Sequence, residues 1–193
     1  MTTPQISINN VKPGIVVVED FLNNPHEHRE YALGLDYEKK GSYGVRSAPH
    51  QYPEYREAFE KILQRRIVGW HSDINGCYQW CDKHQDIVYH VDLQSYAAVL
   101  FLTPDAPVAS GTSFWKSKHT GQRIHHGNQT GLTFGPNGEH LKDPDQWELV
   151  DRVGNAFNRL VIWYGQYIHS ATEYFGEDVH DSRLFQIFFF DCE

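Results

Sequence analysis

The chain is poor in cysteine, poor in positive charge and free of long apolar runs, and each shortage closes off a class of protein. Its three cysteines, Cys77, Cys81 and Cys192, are too few for a disulfide framework. A lone Cys-x-x-x-Cys also lacks the second pair that a structural zinc site needs, so these thiols read as reduced and buried. Lys and Arg number 17 against 25 Asp and Glu, for a formal charge of -8. That balance disfavours a nonspecific grip on nucleic acid, whose phosphates demand a basic surface. Lys116, Lys118 and Arg123 do cluster, but Glu139, Asp143 and Asp145 follow in the same stretch. No apolar segment approaches the roughly 18 residues needed to span a bilayer, and the opening MTTPQISINN has neither the positive nor the apolar region of a secretion signal. The expectation is a soluble, cytoplasmic protein without a membrane partner.

What the chain does have is histidine, 12 of them, in a sequence of 193 residues that suits a single domain spanning 1–193. Three His-x-Asp triplets occur where chance would supply roughly one, so context must choose between them. His71-Ser72-Asp73 runs into the turn dipeptide Asn75-Gly76, and His84-Gln85-Asp86 sits in a polar stretch that reads as a hairpin loop. Only His90-Val91-Asp92 opens onto a continuous apolar run, Ala97-Ala98-Val99-Leu100-Phe101-Leu102, of the kind a strand inside a closed sheet shows. On a strand, residues two apart share a face, so His90 and Asp92 can close on one metal ion. Imidazole plus carboxylate is two thirds of the two-His, one-carboxylate facial triad that leaves neighbouring positions of an octahedral iron(II) open. The third ligand must then be a distant histidine.

In chain order, Gly14 to Glu19 reads as a first strand, and Asn24 before Pro25 starts a helix running to about Leu35. Gly41 to Tyr52 reads as a loop, and Tyr55, Phe59, Ile62, Leu63 and Ile67 recur at helical spacing, which predicts a second helix over about 53–67. From Ile74 the period becomes that of strands: 76–82, 87–92, 96–102 and 111–115, then 159–164, 167–171 and 183–190. Between them, about 116–151 is rich in Gly, Asn, His and Pro and reads as a lid-like insertion whose His119, His125, His126 and His140 are surface histidines by default. Helices over about 24–67 followed by strands over about 74–191, with few helical crossovers, predict a mainly β fold with N-terminal helices. A double-stranded β-helix, the cupin-like jelly roll, accommodates that count and leaves a mouth for a small ligand.

With these residues in hand the chain resembles the iron(II)- and 2-oxoglutarate-dependent dioxygenases, and among them a small prolyl-hydroxylase-like subgroup without an assigned substrate. The likeness is carried by AAVLFLTPDAPVASGTSFWKSKHTG, by NRLVIWYGQYIHSATEYFG and by SRLFQIFFF, and extends over about 14–191. It implies a fingerprint of His90-Val91-Asp92, a distal His169 on a late strand, and the basic residue Arg183 opening the last one. It further implies Fe(II) on His90, Asp92 and His169, with 2-oxoglutarate and O2 as cosubstrates and hydroxylation of a C–H bond as the outcome. Arg183 would hold the distal carboxylate of 2-oxoglutarate through its bidentate fork. Its parity with Phe185, Ile187 and Phe189 suggests an inward face, although Leu184, Phe188 and Phe190 make the other face apolar too, so parity alone does not decide.

One departure is visible. Some relatives place Ser two residues after the basic residue, where this chain has Phe185, so another group must share that carboxylate. Tyr96, of the same strand parity as His90 and Asp92, and Gln79 on the preceding strand are the candidates for assisting the cosubstrate; each reads equally as a packed side chain with a satisfied polar tip. Tyr43, Arg46, Trp115, Lys118 and His119 are candidate substrate contacts, with solvated surface as the plain alternative. The expected substrate is a small molecule, amino acid or peptide presenting an aliphatic side chain. The alternatives are a hydrolase on a His2Asp zinc site, for which a His-Glu-x-x-His motif is missing, and a non-catalytic jelly-roll binding module.

Overall fold

The computed structural model describes residues 14–39, 44–126 and 139–193. Tyr43 and the middle of the expected insertion, 127–138, lie outside the described residues, and the side chain of His140 is likewise outside them. In chain order the elements are β1 (Ile15–Val18), α1 (Pro25–Leu33), β2 (Glu38–Lys39), β3 (Val45–Arg46), α2 (Pro53–Leu63) and β4 (Ile67–Trp70). There follow β5 (Tyr78–Cys81), β6 (Tyr96–Phe101), β7 (Thr112–Ser117), β8 (Trp147–Val153), β9 (Leu160–Tyr164), β10 (His169–Ala171) and β11 (Arg183–Cys192).

Both helices begin on a proline, whose fixed φ suits the first turn. Asn24 precedes α1 as expected, yet its side chain donates to Glu27 Oε2 at 3.0 Å instead of capping the backbone. The second helix stops earlier than its apolar period suggests. Gln64 turns left-handed at φ 52° and the chain re-enters as β4 at Ile67, whose N–H is taken by Glu60 Oε1 at 2.8 Å. Ile67 keeps its place in the same core as Tyr55, Phe59 and Leu63, but from a strand.

The strands form two antiparallel sheets. The larger runs β1-β9-β6-β11-β5-β3-β2, with β4 pairing the far end of β11; the smaller runs β10-β7-β8. The long strand β11 is apolar on both faces because both are covered. Leu184, Phe188 and Phe190 meet α1 and α2, with the Phe59 ring 5.1 Å from Phe188 and 5.4 Å from Phe190. Phe185 and Ile187 face the other way, onto Ala97, Val99, Phe101, Val161 and Trp163 of the same sheet and Phe114 of the smaller one. Each side chain so buried contributes about 1.5–3 kcal/mol. The fold is therefore a jelly roll with a helical layer on its outer face, and the space between the two sheets is where a ligand fits. Arg29 ties the layers together, donating to Leu102 O at 2.8 Å and His180 O at 2.6 Å.

Two further expectations are corrected. Residues 87–92 are not a regular strand: they pair through a single antiparallel bridge, His90 to His169. The stretch expected as an insertion begins with the end of β7 and closes with β8, whose inner face is carried by Trp147 while Glu148, Leu149, Asp151 and Arg152 are exposed.

Candidate metal centre

The His90–His169 bridge brings the ligand set together. His90 N–H donates to His169 O at 2.9 Å and His169 N–H to His90 O at 2.8 Å, while Asp92 N–H donates to Gly165 O at 2.8 Å. Gly165 is needed there, because a Cβ on it would lie 2.3 Å from Gln94 O and 3.2 Å from Asp92 Cβ. The rings of His90 and His169 stand with centroids 4.3 Å apart. Their Nε2 atoms and the Asp92 carboxylate all lie within 4.8 Å of one another, with His169 Nε2 3.2 Å from Asp92 Oδ2 and His90 Nε2 3.9 Å from Oδ1. Among the described residues this is the one such cluster of three.

The tautomers follow from the backbone. His90 Nδ1 sits 2.9 Å from Val88 O and His169 Nδ1 2.8 Å from Tyr167 O. A carbonyl only accepts, so both Nδ1 atoms carry the hydrogen and both Nε2 atoms turn a lone pair to the centre. Asp92 Oδ2 is buried without a hydrogen-bond partner. Acceptors crowded this closely repel unless a cation lies between them, and adjacent ligands of one metal at about 2.1 Å stand about 3 Å apart. The donor set thus fits a metal ion. Burial, then the neighbouring His169, pull the His90 pKa down to about 4, which keeps its lone pair available. Burial alone would push the Asp92 carboxyl up, but the His169 and His90 rings outweigh it and hold it below the usual carboxylate range.

A cavity of about 460 Å³ opens from this cluster between the sheets and reaches Arg183. Arg183 is 3 % exposed, with Nε donating to Ser110 O at 3.0 Å and the guanidinium 4.3 Å from the Phe185 ring and 5.1 Å from Phe101. Burial lowers its pKa from the usual arginine value, partly offset by Tyr174 and Cys81. No carboxylate pairs with it among the described residues, so a buried cation faces the cavity among aromatic rings, backbone carbonyls and the Cys81 thiol. Tyr174 and Thr112 line the cavity as well, and neither was singled out from sequence. Tyr174 sits in the loop before β11, where the aromatic pair Tyr174-Phe175 in an otherwise polar stretch was the available signal.

The remaining candidates divide. Gln79 lines the cavity and accepts from Arg46 Nε at 2.5 Å, and Arg46 lines it too. Tyr96 is not brought to the site: the bend at residues 93–95 breaks the strand parity, and its ring stacks on Phe190 in the helix-side core, 5.7 Å away. Trp115 packs against Tyr89 and donates to Ser170 Oγ at 2.9 Å, and Lys118 donates to Asp145 O at 3.0 Å. His119 is exposed on the turn after β7, outside the cavity lining. His71 pairs with Asp191 at 3.3 Å and His84 with Glu177 at 3.4 Å, so neither of the other triplets closes on a metal. The basic cluster is met by acids, Lys116 by Glu148 at 2.8 Å and Arg123 by Asp151 at 3.5 Å.

The fold is shared with several solved structures, some of which hold a metal and 2-oxoglutarate. HygX from Streptomyces hygroscopicus, solved with nickel and 2-oxoglutarate bound, is similar at 11 % identity and a TM-score of 0.59, over 91 % of this chain and 81 % of that one. The epimerase SnoN, in complex with Fe3+, alpha ketoglutarate and nogalamycin RO, is similar at 16 % identity and a TM-score of 0.60, over 93 % and 79 %. The carbocyclase SnoK from nogalamycin biosynthesis is similar at 15 % identity and 0.55, over 93 % and 81 %. By sequence the chain belongs to DUF6445, a family of unknown function, whose pattern matches residues 78–189. That span contains His90, Asp92, His169 and Arg183. No curated protein matches the sequence.

Proposed function

We propose that this protein is an iron(II)- and 2-oxoglutarate-dependent oxygenase that hydroxylates an aliphatic C–H bond of an amino-acid side chain, free or within a peptide. The observation that carries the reading is the approach of His169 Nε2 to Asp92 Oδ2, 3.2 Å, with both histidines' Nδ1 atoms already committed to backbone carbonyls. His90, Asp92 and His169 would hold the metal and leave positions open on one side. Iron(II) with 2-oxoglutarate supplies the oxidation: O2 is consumed, 2-oxoglutarate becomes succinate and carbon dioxide, and one oxygen atom enters the substrate C–H bond.

The chain's own residues bind and orient. Arg183 takes the distal carboxylate of 2-oxoglutarate, a charge-assisted contact strengthened by the apolar walls of Phe101 and Phe185. Tyr174, whose ring lies 5.9 Å from the Arg183 guanidinium, and Thr112 also line the cavity and are the candidates to supply the contact that the absent serine would have made. Ala97, Val99, Trp163 and Ile187 line the cavity with apolar surface that excludes water and suits an aliphatic target. Among the described lining residues there is no glutamate to act as the general base of a zinc hydrolase.

Equilibrium dialysis against iron(II) under anaerobic conditions tests the assignment. One ion per chain is expected, lost in His90→Ala, Asp92→Ala and His169→Ala and kept in His71→Ala and His84→Ala. Retention of the metal by the first three variants would refute it.

A further inference from the structure

Each histidine of the metal centre is oriented by a second bond, and the carboxylate is not. His90 and His169 donate from Nδ1 to Val88 O and Tyr167 O, whereas Asp92 Oδ2 is buried with no hydrogen-bond partner. Asp92 also belongs to no strand, so its place is set by the backbone on either side. On one side the bridge between His90 and His169 fixes the chain; on the other it bends through Leu93, Gln94 and Ser95 before β6 begins at Tyr96. Whatever holds that bend decides where the carboxylate stands.

Gly165, in the turn after β9, donates to Ser95 O at 2.8 Å and accepts from Asp92 N–H at 2.8 Å. Asp191 grips the same bend from the other direction: its Oδ1 accepts from Ser95 N–H and from Ser95 Oγ–H, both at 2.8 Å. The register of β11 brings it there, because Phe190 pairs with Tyr96 and the next residue along meets the last residue of the bend. Asp191 is itself fixed from behind. Gly69 lies across from it in β4, where a Cβ would come within 2.9 Å of Asp191 Oδ2 and 3.2 Å of its Cβ, and His71 Nε2 stands 3.3 Å from Oδ2. Burial would push the Asp191 carboxyl up, but the two Ser95 bonds, with His71, outweigh it and hold it below the usual carboxylate range. It is thus a charged acceptor at neutral pH, and hydrogen bonds to a charged acceptor are the strong ones.

We infer that Asp191 is a positioning residue of the metal centre: by clamping Ser95 it fixes the bend at 93–95, and through the bend it sets where the Asp92 carboxylate stands relative to the two histidines. This rests on the metal site assigned above and adds to it a residue outside the cavity lining. The clamp needs an acceptor oxygen at Oδ1, which asparagine also supplies, so its effect is separable from that of a negative charge acting on the metal at a distance. Groups that hold metal ligands in place are typically worth about 10- to 100-fold in metal affinity.

The test is titration of the metal-free protein with cobalt(II), whose visible absorption bands depend on the number and arrangement of its ligands and so report geometry together with affinity. Asp191→Ala is expected to bind cobalt about tenfold or more weakly than the unmodified chain, with altered bands at saturation. Ser95→Ala, which removes one of the two bonds, should show a smaller loss in the same direction, about threefold or more, and carries the test if Asp191→Ala fails to fold by circular dichroism. Asp191→Asn, which keeps the acceptor, and His71→Ala, which touches only Oδ2, should stay within about twofold with unchanged bands. Unchanged affinity and bands in folded Asp191→Ala or Ser95→Ala would overturn the inference. So would an equal loss in Asp191→Asn, which would make the charge and not the clamp responsible. Failure of the unmodified protein to take up cobalt, or uptake that survives His90→Ala and His169→Ala, is read in the same titrations and would overturn the underlying metal site as well.

Discussion

His90 contributes to the pH dependence of the metal-free protein, alongside the burial-lowered His28 and His50. Its pKa of about 4 in the fold lies below the value near 6.5 of an unfolded histidine, so between these limits the unfolded chain takes up a proton that the native state refuses. This contribution to stability is complete above about pH 6.5, is lost as pH falls towards 4, and changes no further below that. Thermal midpoints of metal-free protein should therefore drop between pH 7 and pH 4.5, with a shallower drop in His90→Gln. Identical slopes in the two proteins would show that His90 does not titrate in this way. Arg183 acts at the other end of the cavity. Losing one charge-assisted contact to a buried carboxylate costs about 1.5–3 kcal/mol, which is roughly ten- to a hundredfold. The expected result of Arg183→Ala is a rise of that size in the KM for 2-oxoglutarate, with iron affinity changed much less. An unchanged KM would remove Arg183 from the cosubstrate site.

At the scale of elements, the site depends on joints more than on strands. Asp92 belongs to no regular strand and is held by the turn after β9, where Gly165 closes on residues 92–95. Gly165→Ala should weaken metal binding by at least tenfold while the circular dichroism of the sheets is retained; full metal affinity in that variant would mean that the turn does not position Asp92. The same joint explains what could be read from sequence and what could not. The triplet was legible because it is marked by residue type beside an apolar run, whereas the late histidine and the opening arginine of β11 came from the family resemblance. Tyr96 was misplaced because strand parity does not survive the bend at 93–95. The extent of α2 was overestimated because Ile67 serves the same core from a strand as it would have from a helix. β8 was hidden because most of its side chains face solvent, and the pairing of Arg46 with Gln79 because a contact across 33 residues of sequence leaves no local trace.

Over the whole molecule, three layers account for the chemistry. Helices cover one face of the large sheet, the small sheet covers the other, and the apolar side chains between the sheets stop short of filling the space around the ligands, leaving the cavity of about 460 Å³. Arg46, Arg183, Asp73 and Asp92 line that space, and Arg183 and Asp92 within it suit an anionic cosubstrate and a metal bound together. No helix among the described residues is long and apolar enough to cross a membrane. The most direct measurement is succinate formation from 2-oxoglutarate by the purified protein in air, with and without iron(II), for the unmodified chain and for His90→Ala, Asp92→Ala and His169→Ala. Iron-dependent succinate from the unmodified chain alone is the expected result. Succinate formed equally by the three variants, or none formed by iron-loaded protein that binds 2-oxoglutarate across a panel of amino acids and peptides, would contradict it.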